Sequence, residues 1–354
     1  MKNVIVYSII ALLSIQLMAQ NPDKAHDLVS QGVQLHDKGD YNAAIVKYDE
    51  ALRADKDNLM AYSEKAYSLS ALKKYEDCIT CCKKAITAHP NDSGLNMIYV
   101  SYGSALDHLG EPDKAVAMYD EGLTLLPDFY LLHYNKGITL IGQDKSDEAL
   151  LSFQKAVVCN PEHASSHNAI ARVMHYKNKR IPALLAYCRF FTVEPTGPRA
   201  EDNLNRTKDI LSLGVKKTGK NSISISIDGS SLGDTTADGK PNENSFSTVD
   251  LIMSMSAALA ISENKKQTDA EKFAGNLNTA IASMEETKAD NYGFYWDYYV
   301  PYFIEMKNRK YIETLSYLVF ASSGEKYVTK WIKSHAREIQ DFLAWSESYK
   351  WYSE

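Results

Sequence analysis

Along residues 25–197 apolar side chains return every three or four positions in stretches about 14 residues long, the spacing that gives a helix one buried face. Polar turns punctuate them: Lys38-Gly39-Asp40-Tyr41, Leu72-Lys73-Lys74-Tyr75, Leu109-Gly110-Glu111-Pro112 and Gly142-Gln143-Asp144-Lys145. The pattern predicts helices packed as antiparallel pairs. Pro127, Pro161 and Pro195 stand 34 residues apart, and Pro90 lies 37 before the first of them. Each proline ends the second helix of a pair because it cannot continue the hydrogen-bond ladder.

Segments beginning at Ala25, Leu59, Asn96, Tyr130 and Ala164 superimpose, with Ser93-Gly94-Leu95 inserted between the second and third. The eighth place is always small (Gly32, Ala66, Gly103, Gly137, Ala171), as is the twentieth (Ala44, Cys78, Ala115, Ala149, Ala183). The eleventh is large and apolar (Leu35, Leu69, Leu106, Leu140, Met174). The twenty-fourth holds Tyr48, Cys82, Tyr119, Phe153 and Tyr187. Small residues let paired backbones approach, and the large ones fill the space on either side.

This set of residues resembles the tetratricopeptide repeat family over residues 25–197. Departures are Leu28, Tyr62, Tyr99, His133 and His167 at the fourth place, often Trp in the family, and Lys56 where the first repeat lacks its proline. The resemblance implies an all-α chain that begins as an α-solenoid of five helix-turn-helix repeats, 25–58, 59–92, 96–129, 130–163 and 164–197. Pro198 to Leu213 reads as a polar-faced helix, so residues 198–214 are expected to cap the array, with a domain boundary near Gly214.

From Val215 the period changes. Ser222 to Ile227 alternates with period two, predicting a short β segment, and Asp228 to Ser245 is a polar loop; together 215–245 form a linker. Helical periodicity resumes over Phe246–Ser262, Asp269–Lys288, Tyr295–Lys307, Tyr311–Ser322 and Glu325–Tyr349, so 246–354 is expected to be a mainly helical C-terminal domain. Pro301 begins, kinks or interrupts its helix. The turn Lys307–Tyr311 followed by Leu315 and Leu318 faintly echoes the repeat and suggests a degenerate sixth pair from Tyr295 to Ala321.

Composition sharpens this in one place. Of 23 Tyr, 10 Phe and 4 Trp, 18 rings, including every Trp, lie between Tyr292 and Tyr352. The run from Tyr292 to Phe303 is too dense for one helical face to bury. Its rings either glue the C-terminal helices to each other and to the end of the array, or present a surface to carbohydrate, cell wall or protein. A formal charge of −6, from 39 basic and 45 acidic residues, supplies no basic excess for nucleic acid.

Met1-Lys2-Asn3, the apolar stretch Val4–Leu17 and the small-residue exit to Ala19 read as a signal peptide over 1–19, cleaved near Ala19. This 14-residue stretch, broken by Ser8, Ser14 and Gln16, falls short of the roughly 20 that span a bilayer. The mature chain is therefore expected outside the cytoplasm, periplasmic or surface-associated, without a membrane span and with a place in an envelope complex. The odd number of cysteines, Cys78, Cys81, Cys82, Cys159 and Cys188, leaves pairing open; the register puts Cys78 and Cys82 at inward places, as small buried hydrophobes.

In the resembled family the first helix of each pair lines a concave groove that holds peptides or proteins. The fifth, sixth, ninth and twelfth places point there: Ser63, Tyr67, Ser104, Asp107, Tyr134, Asn135, Asn168, Arg172 and His175. Val29 and Val33 stand where the family's carboxylate clamp needs Lys and Asn. Arg172 with Asn168 and Asn135 either grips an anionic group or an extended backbone, or belongs to a solvated face with one arginine. His163 and His167, with Cys159 nearby, have metal-ligand spacing, but His167 holds a packing place. Asp228, Asp234, Asp238, Asn242, Glu243 and Asn244 do not follow the helix-loop-helix calcium spacing. Asp297 and Glu305 are carboxylates on one helix, without the opposed geometry of glycoside chemistry. No nucleophile elbow, phosphate loop or zinc-protease motif occurs, so a non-enzymatic protein-binding scaffold without cofactor is expected.

Overall fold

The computed structural model describes residues 20–212, 215–217, 223–225, 236, 241–262 and 267–351. Residues 1–19, read above as a signal peptide, and Asp228, Asp234 and Asp238 fall outside the described residues. The chain divides into two compact units, Met1–Lys145 and Ser146–Glu354.

The described part of the first unit is helical throughout: α1 (Pro22–Asp37), α2 (Tyr41–Ala54), α3 (Leu59–Ala71), α4 (Tyr75–Ala88), α5 (Asn96–His108), α6 (Pro112–Leu125) and α7 (Tyr130–Gly142), with a short 3-10 turn at Ser93–Leu95. Asn21, Asp40 and Asn58 cap α1, α2 and α3, each side chain accepting a backbone N–H of the first turn at 3.0, 3.1 and 2.9 Å. Helices pair α1 with α2, α3 with α4 and α5 with α6, while α1, α3, α5 and α7 pack in a row. The small-and-large rule has a direct steric origin. A Cβ on Gly32 would stand 2.3 Å from Tyr48 Cε1, and one on Gly103 2.3 Å from Tyr119 Cε1, so the twenty-fourth ring occupies the space an eighth-place side chain would need.

Each turn within a pair closes on a left-handed residue at the fifteenth place: Gly39, Lys73, Gly110 and Asp144 here, and Asn178 in the second unit. The hydrogen bonds repeat as well. The residue after it reaches back five positions, as in Asp40 N to Leu35 O at 2.9 Å and Lys74 N to Leu69 O at 2.9 Å.

The second unit opens with α8 (Ser146–Cys159), α9 (Ala164–Tyr176), α10 (Arg180–Val193) and α11 (Pro198–Ser212). The two short strands β1 (Val215–Lys217) and β2 (Ile223–Ile225) pair antiparallel, Val215 opposite Ile225. Then come α12 (Ser247–Ser262), α13 (Asp269–Thr287), a π-helical turn Tyr295–Tyr299, α14 (Val300–Asn308), α15 (Ile312–Val319), α16 (Lys326–Ser334) and α17 (Ala336–Ser348). Thr268 caps α13 in a reciprocal box with Glu271.

Expectation and structure part company in two places and agree in a third, the echo over Tyr295–Ala321. The compact units divide at Lys145/Ser146, not near Gly214. The reason lies in α10, whose residues from Arg180 to Thr192 are all buried: α9, α11, α12 and α15 pack around it, so the last repeat shares a core with the C-terminal helices. The single helix expected over Glu325–Tyr349 is two, broken at His335, whose ring stacks on Trp331 at 4.0 Å. The echo over Tyr295–Ala321 is a helical pair, α14 and α15, turning on left-handed Lys310 with Tyr311 N bonded to Met306 O at 3.0 Å, as in the repeats.

The aromatic run faces inward. Tyr295, Trp296, Tyr298, Tyr299, Tyr302 and Phe303 are buried, and of this run Tyr292 is the exposed ring. Tyr295, Trp296, Tyr298 and Tyr299 all reach the interior within the five residues of the π-helical turn. Trp296 stacks on Phe246 at 4.4 Å and donates to Ser245 O at 2.9 Å; Tyr298 donates to Val157 O at 2.7 Å. Of the two uses expected for this run, internal adhesion is the one these contacts show.

Candidate functional site

Within the first unit, the exposed side of the α1–α3–α5–α7 row carries the ninth- and twelfth-place residues. Tyr67 is half exposed, its ring stacked on His36 at 4.6 Å; His36 bonds Ser68 Oγ through Nδ1 at 2.7 Å. Ser104 Oγ lies 3.2 Å from the Tyr119 hydroxyl, and Asp107 is half-buried one helical turn on. On α7, Tyr134 is half-buried, and Asn135 turns back on its own helix, Nδ2 donating to Leu131 O at 2.7 Å. That bond occupies one of its two amide protons. Ile138 and Ile141 stand exposed at the ninth and twelfth places of the same helix. They were missed because hydrophobicity was read as burial, although their register placed them outside. Glu64 at the sixth place is half-buried; burial raises its carboxyl above the ordinary value, which His36 partly offsets.

Within the second unit, α9 brings Asn168, Arg172 and His175 onto one side, four and three residues apart. Arg172 is exposed, while Asn168 Oδ1 is buried with no hydrogen-bond partner among the described residues. Beneath them lies Tyr187, fully buried, its hydroxyl likewise unpartnered. Burial pushes that phenol up to about 12, and the nearby Arg206 and Arg172 guanidinium groups oppose the shift. The His175 imidazole is pushed down by burial and by Arg206, with Asp209 acting the other way. Arg206 itself is held by Asp202 at 3.0 Å. Counted from Pro198, Asp202, Arg206 and Asp209 fall at the fifth, ninth and twelfth places. The helix expected to be a cap thus continues the repeat's side-chain pattern, and only the register could have revealed it. Arg172, His175, Arg206 and the Tyr187 hydroxyl form a polar cluster with two guanidinium groups and spare hydrogen-bonding capacity.

The other candidates have settled local roles. The His167 ring is fully buried with both nitrogens engaged, and His163 Nδ1 lies 2.7 Å from Ser166 Oγ. Among the described residues no three metal-ligating side chains converge. Cys78, Cys81, Cys82 and Cys188 carry free, buried thiols, and Cys159 is half-buried. Asn244 accepts from Tyr295 N at 3.0 Å and stitches the end of the polar loop to the aromatic run. Glu305 accepts from Trp345 Nε1 at 3.0 Å and Arg309 Nε at 2.8 Å, bonds that hold its carboxyl below the ordinary range. Asp297, on the π turn, is exposed. No described helix is long and apolar enough to cross a membrane.

Comparison with known proteins bears on the repeats. Residues 61–92 and 98–129 match the family model described as tetratricopeptide repeat. The chain is 36% identical over 110 residues to Protein STIP1 homolog of Dictyostelium discoideum, a match covering 31% of this chain and 19% of that protein. It is 31% identical over 110 residues to small glutamine-rich tetratricopeptide repeat-containing protein 2 of Saccharomyces cerevisiae, covering 31% of each. The chain thus spans less than a third of either relative. Among solved structures, a thermophilic tetratricopeptide-repeat protein of Thermus thermophilus is 20% identical with a TM-score of 0.43, covering 53% of this chain and 100% of that one. Paired helices on a 34-residue period, the small-and-large packing rule and the family match agree: the chain carries tetratricopeptide repeats.

Proposed function

We propose that the protein is a non-enzymatic adaptor, exported after cleavage near Ala19, that holds a protein or peptide segment against the first helices of its repeats within an envelope assembly. The observation that carries this reading is the cluster on α9 and α11. Exposed Arg172 stands with His175 and Arg206 around the buried Tyr187, and the two guanidinium groups offer charge-assisted hydrogen bonds to a carboxylate or backbone carbonyl of a partner. Exposed Tyr67, Ile138 and Ile141 in the first unit supply the apolar and aromatic contacts that anchor a bound segment. The apolar stretch Val4–Leu17 supports export. Binding by such a surface needs rigid presentation of side chains, not chemistry.

The test is crosslinked capture from a native envelope fraction, comparing the unaltered protein with an Arg172→Glu, Tyr134→Ala double variant. Loss of the captured species at an unchanged melting temperature is the expected result. An unchanged capture profile overturns the assignment.

A further inference from the structure

The first unit contains a second concavity, away from the face formed by the first helices. It is a cleft of about 740 Å³ between α2 and α4, floored by α3. From α2 it takes Ile45, Val46, Asp49, Leu52 and Arg53, and from the opposite side Lys74, Asp77, Cys81 and Lys84. Tyr62, Lys65 and Leu69 of α3 form the floor. Contributions recurring three and four apart on both walls mean that the cleft follows the helices along their length. Each has 14 residues, about 21 Å of helix axis.

Two features select an occupant. Lys65 is spent on Asp49 at 2.5 Å, whereas Arg53, Lys74 and Lys84 make no ion pair among the described residues. These cations mark the two ends: Lys74, which donates to Asn42 Oδ1 at 3.5 Å, precedes α4, while Arg53 and Lys84 lie near the last turns of α2 and α4. Between them the walls mix apolar and polar groups: Val46 is half exposed with Ile45, Leu52, Leu69 and Cys81 behind it, and Asn42, Asp77, Thr80 and the Asp49–Lys65 pair share the lining. The lining carries four basic residues, Arg53, Lys65, Lys74 and Lys84, against two acidic ones, Asp49 and Asp77, and this positive excess around the exposed Val46 complements a helix that is apolar on one face and acidic along its flanks. Ridges spaced three and four residues apart on the walls receive helical ridges, not the two-residue period of a strand.

We propose that this cleft docks an acidic amphipathic helix of a protein partner, about three to four turns long, laid alongside α2 and α4. The site is separate from the first-helix face, and a partner engaging both would be held at two points.

The test uses the full chain and three labelled synthetic peptides of about 15 residues, read by fluorescence anisotropy at low salt. One carries Leu at helical i, i+3, i+4, i+7 spacing with Glu elsewhere; the second replaces Glu by Lys; the third scrambles the acidic sequence to abolish the apolar face. The first is expected to bind, with each of the others at least about tenfold weaker. Lys74→Glu with Lys84→Glu, both exposed, should weaken it by about tenfold, and Val46→Arg by a similar factor. Tyr67→Ala and Arg172→Glu should leave it unchanged, which separates the cleft from the first-helix face. The proposal is overturned if the first peptide does not bind, if the scrambled peptide binds equally, if the charge reversals have no effect, or if Tyr67→Ala alone removes binding.

Discussion

The Tyr299 hydroxyl lies 2.7 Å from His167 Nδ1, and His167 Nε2 lies 2.8 Å from Pro161 O. A carbonyl only accepts, so Nε2 carries the proton and Nδ1 accepts from the tyrosine; one neutral tautomer satisfies both bonds. The pair fastens the π-helical turn to the start of α9. Tyr299→Phe leaves a buried nitrogen without a donor and should cost about 1–3 kcal/mol, read as a lower urea midpoint.

The same histidine makes stability depend on pH. Burial, reinforced by Arg189, holds its folded-state pKa well below the ordinary value, and His163 is lowered in the same direction by burial and Arg199. The unfolded chain therefore binds the extra protons, and stability, complete above about pH 6.5, falls as the pH drops below it. By pH 5 the His167 contribution reaches about 2 kcal/mol if the folded imidazole still resists protonation. Urea melts between pH 7 and 5 should show this slope, and His167→Phe should flatten it.

Glycines separate into two kinds. Gly103→Ala drives a methyl into the buried Tyr119 ring and should cost about 1–3 kcal/mol. Gly275, inside α13, has nothing within 4 Å of where its Cβ would stand, so Gly275→Ala should raise stability by about 0.5–1 kcal/mol. Thermal melts of the two single variants check the opposite signs.

The same contrast shows what was legible in the sequence. Repeat-to-repeat packing is local, between residues of fixed offset such as Gly103 and Tyr119, so it leaves a periodic trace. The packing of Tyr298 on Val157, or of α15 on α10, joins residues with no common period, so the aromatic run announced its density but not its destination. In the candidate site the register identified Asn168, Arg172 and His175. It also contained Arg206 and Ile138, passed over because one lay in a presumed cap and the other was apolar. The break at His335 left no glycine or proline to signal it.

Left-handed turns offer a sharper check on the degenerate pair α14–α15. Lys73, Asp144 and Lys310 hold a conformation that costs a side chain about 1 kcal/mol and that Gly39 and Gly110 adopt freely. Lys310→Gly should therefore stabilise the protein by a few tenths to about 1 kcal/mol, offset in part by the greater freedom of glycine in the unfolded chain. A melting temperature lowered by the substitution would contradict the equivalence of this turn with those of the repeats.

Arg189 joins the last repeat to the C-terminal helices by a different means. Fully buried on α10, its guanidinium donates to Ser346 Oγ at 2.8 Å, to Pro161 O at 3.0 Å and to the Glu162 carboxylate, and lies 5.4 and 5.1 Å from the Tyr302 and Trp351 ring centres. Glu162 is about half exposed, so water replaces the guanidinium there at little cost, and most of the loss in Arg189→Met should come from Pro161 O and the two rings. The expected destabilisation is about 2–3 kcal/mol, with the emission of Trp351 moving to the red as its ring loses the cation above it. Glu162→Gln should cost under about 1 kcal/mol, because its partner keeps two other acceptors and its contacts with both rings. If the glutamate variant proves the more damaging, the charge pair and not the stacked guanidinium holds these helices together.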